Sequence, residues 1–182
     1  MINLTVLILT LFGFLQVQNP ETFSVRCDLQ GMYDEIAQAT LESHSTDQID
    51  MYHQVFYTPD WAFVDADGHR HDWPELRRQA VDALNQPGPT TLRSAILEIS
   101  VTAESASALI HLISVKTIVD TEGKYGHPGL THTLADVTPM RDTWIKNGVT
   151  WRLRLREQIG ATRVLVDKMP PEIDSPRCPG DR

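Results

Sequence analysis

The stretch that decides the fold is Thr131–Gln158, THTLADVTPMRDTWIKNGVTWRLRLREQ. In its second half Trp151, Leu153 and Leu155 alternate with Arg152, Arg154 and Arg156. That period of two belongs to a strand with one face on a core and the other on water. Asn147-Gly148 separates the halves, and this dipeptide tolerates the positive φ angles of a two-residue hairpin turn. The segment is read as a long antiparallel hairpin with its arginines outward. On the first strand Met140, Asp142 and Trp144 share a face, which places a carboxylate among apolar side chains.

Working outward from the hairpin, Leu29, Met32, Tyr33, Ile36 and Thr40 fall at helical spacing and predict an amphipathic helix over 27–44. Ser45 and Gln48 form a capping signature for a second helix through about Phe56, with Ile49, Tyr52 and Phe56 inward. Trp61, Phe63 and Asp65 then alternate with Ala62 and Val64 as a short strand, and Asp67-Gly68 turns the chain. Asp72, Pro74 and Glu75 open a third helix that buries Trp73, Leu76, Ala80 and Leu84. Two strands follow over 91–103 and 106–120, the second apolar on both faces and therefore central in its sheet. Beyond the hairpin, 162–166 reads as one more strand. The order is that of an α+β fold in which a strongly curved antiparallel sheet carries three helices, all from the N-terminal half, on its concave face.

The chain has 182 residues, 41% of them hydrophobic and 22% charged, which is the range of one globular domain rather than a disordered segment. Its net charge of -8 repels phosphate backbones, so no nucleic-acid partner is expected. Residues 2–15, INLTVLILTLFGFL, are too short to span a bilayer comfortably and resemble the apolar core of a signal peptide. The domains are read as a leader over 1–22, a folded domain over 27–168 and a proline-rich tail over 169–182. Export is the expected outcome, with a membrane anchor as the alternative if the leader is retained. In an oxidising compartment the two cysteines, Cys27 and Cys178, read as a disulfide; the alternative is two unpaired thiols near the termini.

The helix-helix-strand start, the WAFVDADG turn, the RDTWIKNGVTWRLRLREQ hairpin and the VLVDK ending together resemble the SnoaL-like branch of the nuclear transport factor two-like superfamily, over roughly residues 27–168. The resemblance implies a cone-shaped fold with an internal pocket, frequent homodimerisation through the sheet, and activities such as ketosteroid isomerisation, polyketide cyclisation, dehydration and epoxide hydrolysis. It places Asp65 where the isomerase has its base and Asp142 where that enzyme has its oxyanion acid. The position of the enzyme's oxyanion tyrosine is held here by Ala39, and Tyr33 lies more than one helical turn earlier.

The candidate catalytic residues are Asp65, Asp142 and His111. Two carboxylates in one apolar cavity would have separated pKa values, as acid–base work requires. Tyr33, Trp61, Phe63, Met140 and Trp144 are the candidate pocket lining. Blander readings stand beside these: Asp65 as a turn cap in DADG, Asp142 as a buried acid paired with an arginine of a neighbouring strand, His111 as a core histidine, and the tryptophans as core. His69 and His71, with His127 and His132, do not fix the three or four ligands zinc needs, so neither metal nor cofactor is expected. The expected function is an exported pocket protein for a small apolar molecule, either a cofactor-independent isomerase, cyclase or dehydratase using its aspartates, or a non-catalytic binding or dimerisation module of the same fold.

Overall fold

The computed structural model describes residues 20–86, 88–170 and Cys178. Apart from residues 20–22, the leader read at 1–22 lies outside the described residues, as does most of the tail. Helix α1 (Pro20–Glu42) begins earlier than the expected 27, with proline at its first position, where the missing N–H costs nothing. Helix α2 (Thr46–Phe56) is capped as its sequence indicates: the Gln48 N–H donates to Ser45 Oγ at 3.3 Å and the Gln48 side chain accepts from the His44 N–H at 2.8 Å. Strand β1 (Tyr57–Val64) follows without a break. A turn with Gly68 at φ 84° leads into β2 (Arg70–Asp72), a short strand that the period-two pattern is too brief to reveal. Helix α3 (Trp73–Ala83) is capped by Asp72, whose carboxylate accepts from the Glu75 N–H. Strands β3 (Thr91–Val101), β4 (Ser105–Asp120), β5 (Leu130–Asn147), β6 (Thr150–Gln158) and β7 (Arg163–Val166) complete the domain.

The strands form one sheet in the order β2-β1-β6-β5-β4-β3, with β7 pairing to β5. The expected antiparallel sheet is corrected at one pairing. Strand β1 lies parallel to β6, to which the chain returns only after β2, α3, β3, β4 and β5, so the sheet is mixed. The eighteen-residue β5 is long enough to serve two partners along one edge, with β6 pairing Met140–Asn147 and β7 pairing Leu134–Val137.

A second correction concerns the hairpin. Trp144 pairs with Leu153 but Thr143 pairs with Leu155, so Arg154 is an extra residue in β6. Such a bulge reverses the side-chain alternation beyond it. Arg156, read as solvent-facing with Arg152 and Arg154, is thereby turned onto the face of Asp142, its direct partner across the ladder.

The core explains why α1 and the sheet stay together. Leu29, Tyr33 and Ile36, one turn apart along α1, meet Ile96, Ile110, Met140, Trp144 and Leu153 from β3 to β6. On the opposite face Ile113, Val115, Ala135 and Val137 pack under Leu165 of β7, which is why β4 is apolar on both sides. Cys27 of α1 is joined to Cys178, with their Cα atoms 5.5 Å apart, so the tail is tied back to the first helix. The bridge spans 151 residues of sequence, a loop length for which chain entropy gives a stabilisation of up to about 5 kcal/mol. Replacing both cysteines by serine is expected to lower unfolding stability by several kcal/mol in urea titration; equal midpoints for variant and parent would show that the tie adds nothing.

Candidate functional site

Asp142 is fully buried at the centre of a side-chain network. Arg156 grips it from the adjacent strand with two hydrogen bonds, Nε to Oδ1 at 2.9 Å and Nη2 to Oδ2 at 2.6 Å. The Tyr33 hydroxyl of α1 donates to Oδ2 at 2.8 Å and accepts from Trp144 Nε1 at 2.9 Å. The Tyr33 and Trp144 rings meet edge-on, 5.1 Å between centroids. Burial, helped by the neighbouring carboxylate, pushes the Tyr33 hydroxyl pKa well up, so it stays protonated and keeps donating. Burial alone would lower the Arg156 pKa, but the charge and hydrogen bonds of Asp142 outweigh it and the net shift is upward. Both oxygens of Asp142 are thus engaged by the protein itself.

Asp65 sits elsewhere and does a different job. Oδ1 accepts from the backbone N–H groups of Asp67 and His69, closing the turn, and Oδ2 lies 3.1 Å from His71 Nε2. Its side chain is 28% exposed, and the hydrogen bond to His71 leads the causes that lower its pKa. His71 in turn is raised by Asp65 and then Glu75, whose Oε1 lies 3.0 Å from His71 Nδ1. No hydrogen bond joins Asp65 to the Asp142 network among the described residues. His111 pairs with Pro139 on β5, and strand alternation puts it with Ile113 and Val115 on the face of the sheet away from Tyr33 and Asp142. The atoms of Asp65, Asp67 and His69 that could ligate a cation lie within 4.8 Å of one another, but on an exposed turn whose carboxylate is already bonded to backbone.

Of the candidate lining residues, Tyr33, Met140 and Trp144 belong to the filled core and Phe63 packs at its edge against His71. Only Trp61 borders open space. That space is a cavity of about 640 Å³ between the C-terminal half of α1, α2, α3 and the start of β1. Its origin lies in α3. Trp73, Leu76, Ala80 and Leu84 were expected to be buried, yet no α3 residue is fully buried, and all four border the cavity together with Ala83. An aromatic group closes the other side: the His53 ring stacks on Trp73 at 3.8 Å and 12°, lies nearly parallel to Tyr57 at 11°, and has Trp61 tilted beside it. No Asp, Glu, Lys or Arg borders the cavity among the described residues. His53 Nε2 and Trp61 Nε1 are buried, and neither has a hydrogen-bond partner among the described residues. Burial lowers the His53 pKa, with Asp50 opposing, and Asp50 itself is held by Arg77 through bonds of 2.6 and 2.8 Å. Tyr57 links the two regions: it borders the cavity, and burial raises its hydroxyl while the charge of Arg156 opposes the rise.

Sequence reasoning passed over His53, although its signal was present. Ile49, Tyr52, His53 and Phe56 follow the i, i+3, i+4, i+7 spacing of one helix face, so the histidine belonged to the inward stripe.

The chain has the nuclear transport factor two-like fold. The structure is similar to that of a conserved protein from Planctomyces limnophilus, at a TM-score of 0.55 and 12% identity over 78% of this chain and 98% of that one. It is also similar to a protein of unknown function from Mycobacterium tuberculosis, at a TM-score of 0.50 and 18% identity over 84% and 79% of the two chains. A nuclear transport factor two-like protein of unknown function from Silicibacter pomeroyi aligns at a TM-score of 0.44 and 13% identity, over 78% and 97%. At these identities the first two likenesses establish a shared fold and no activity. No protein-family model and no curated protein matches the sequence.

Two outcomes test the electrostatics. Replacing Arg156 by Met leaves a buried carboxylate without its cation and should cost about 3–5 kcal/mol in chemical denaturation, whereas adding Asp142→Leu to that variant should recover much of the loss. For His53 the native pKa is depressed, so below the ordinary value near 6.5 the unfolded chain binds more protons than the native one. Its contribution therefore reduces stability as pH falls through and below about 6.5. The stability difference between the parent and His53→Phe should widen in the variant's favour over that window and stay flat above it; a pH-independent difference would contradict the placement of the ring.

Proposed function

We propose that this protein is an exported binding protein for a small apolar molecule, which it holds in the cavity between α1, α2, α3 and β1 rather than transforming it with Asp65 and Asp142. The observation that carries the reading is the apolar stripe of α3, left facing an open space of about 640 Å³ instead of packing on the sheet. A volume of that size lies within the range of roughly 300–1,000 Å³ typical of small-molecule sites, which are largely apolar with a few placed polar groups. Leaving Leu76, Ala80, Ala83 and Leu84 around such a space forgoes the packing contacts a filled core would give, and an occupant restores them.

Proton transfer by the two aspartates is the less favoured reading. Asp142 is saturated by Arg156 and Tyr33, and Asp65 by its own turn and His71, so either would have to give up a native bond to act on a substrate. The Cys27–Cys178 disulfide supports export, since such bonds persist in oxidising compartments.

The test is mass spectrometry of small molecules released on denaturing the purified protein. Apolar species are expected from the parent and from Asp65→Asn, and are expected to be absent from Ala80→Trp, whose indole would fill the cavity; circular dichroism confirms that each variant is folded. Recovery unchanged in folded Ala80→Trp would remove the cavity from consideration. Loss in Asp65→Asn would return the turn carboxylate to the site.

A further inference from the structure

A second hollow lies where β1 leaves β6, and its character is the opposite of the helix-lined cavity. Between Tyr57, which pairs with Leu153, and Ala62, which pairs with Leu155, β1 advances five residues while β6 advances two. Residues 58–61 therefore have no partners in the ladder and arch away from it. Pro59 suits the arch, having no N–H to leave unpaired. The Arg154 bulge of β6 falls at the same place. Beside the arch is a hollow of about 280 Å³, whose charged borders are Asp60 of β1, Lys146 of β5, and Arg152 and Arg154 of β6. It shares no bordering residue with the helix-lined cavity, so its role stands or falls separately from the one proposed there.

Three cations and one carboxylate thus meet in a chain that carries 24 acidic and 16 basic residues. The carboxylate is already committed, since Asp60 Oδ2 accepts from Arg154 Nε at 2.9 Å. Lys146 holds its ammonium 5.8 Å above the Trp151 ring and meets no carboxylate among the described residues. The side chain of Arg152 makes no hydrogen bond or ion pair among the described residues. Its Nε is closed off from solvent, which leaves Nη1 and Nη2 as its free donors. The ladder accounts for this, because Arg152 lies opposite Ile145, a side chain with no acceptor. Elsewhere Arg77, Arg154 and Arg156 each hold an aspartate. A half-buried guanidinium has given up part of its hydration, and here no counter-charge offsets that loss.

We infer that this hollow is a site for a small oxyanion of the phosphate or sulfate type, two of whose oxygens accept from Nη1 and Nη2 of Arg152. The guanidinium is a planar fork that suits two oxygens of one such group. The bordering side chains carry a surplus of two positive charges, which matches a dianion better than a carboxylate. A hollow of about 280 Å³ admits the anion with a short stem, and lies just below the range of roughly 300–1,000 Å³ of sites for larger ligands. The charge distribution favours a free anion over an anionic membrane or a nucleic acid. A net charge of -8 repels an extended polyanion, whereas a small anion in the hollow sits within the screening length of about 8–10 Å of the local cations.

Amide NMR titration of the full chain with sulfate, inorganic phosphate and acetate tests the inference, at mildly alkaline pH and with sodium chloride holding the ionic strength constant. Sulfate and phosphate are expected to shift the signals around residues 58–60 and 152–154 with a Kd on the order of 1 mM, as two charge-assisted hydrogen bonds give, and acetate to bind more weakly. Arg152→Gln should weaken sulfate binding roughly tenfold through loss of the charged fork. Asp60→Asn should tighten it roughly fivefold by removing a like charge and freeing Arg154, a gain that loss of folding cannot imitate. Arg163→Gln, on an exposed position of β7, should leave it unchanged. No shift at those residues, acetate binding as tightly as sulfate, or an affinity unmoved in both Arg152→Gln and Asp60→Asn would overturn the inference. Co-sedimentation with phosphatidic acid vesicles that is lost in Arg152→Gln, without sulfate binding, would overturn it in favour of a membrane headgroup.

Discussion

The buried pair of Asp142 and Arg156 is the constraint around which the rest of the domain is arranged. A charge removed from water is tolerated when a well-placed counter-charge and further hydrogen bonds meet it, and here those come from three elements. Strand β5 supplies the carboxylate, β6 the guanidinium and α1 the Tyr33 hydroxyl, with Trp144 completing the chain of donors. Each contact fixes a relation that apolar packing alone would leave loose: the register of β6 on β5, the position of α1 over the sheet, and the Arg154 bulge that points Arg156 inward. Leucine and isoleucine tolerate small slips, but a two-pronged guanidinium contact does not.

The same pair bears on chemistry. A carboxylate among apolar side chains has the makings of a proton-transfer group, and the neighbourhood of Tyr33 strengthens that impression. With Arg156 on both oxygens, however, the group is an anchor. What the fold leaves available lies one layer away, where α3 is capped and placed but not pressed onto the core. Tyr57 bridges the two layers, bordering the cavity while it feels the charge of Arg156.

The elements whose signals are local were legible from the chain. The Ser45 and Asp72 caps, the Asn147-Gly148 turn and the apolar spacing of α1 depend on residues within one or two turns of each other. The parallel pairing of β1 with β6 and the strand β2 were not legible, since the first joins segments far apart in sequence and the second is three residues long. The cavity was hidden for a related reason. A helical stripe such as Leu76, Ala80 and Leu84 looks the same whether it meets a core or an open space, and period records only which side faces inward.

By itself, then, the sequence determined the fold class, the helices with their caps, the central place of β4 and the buried position of Asp142, because hydrophobic period and turn chemistry act over a few residues. Tertiary structure alone decided what Asp142 does. One extra residue in β6 reverses the alternation beyond Arg154, and a side chain that the pattern sends to water becomes the partner of a buried acid. The parity of a strand is set by its hydrogen bonds to a neighbour, and those bonds exist only once the sheet has formed.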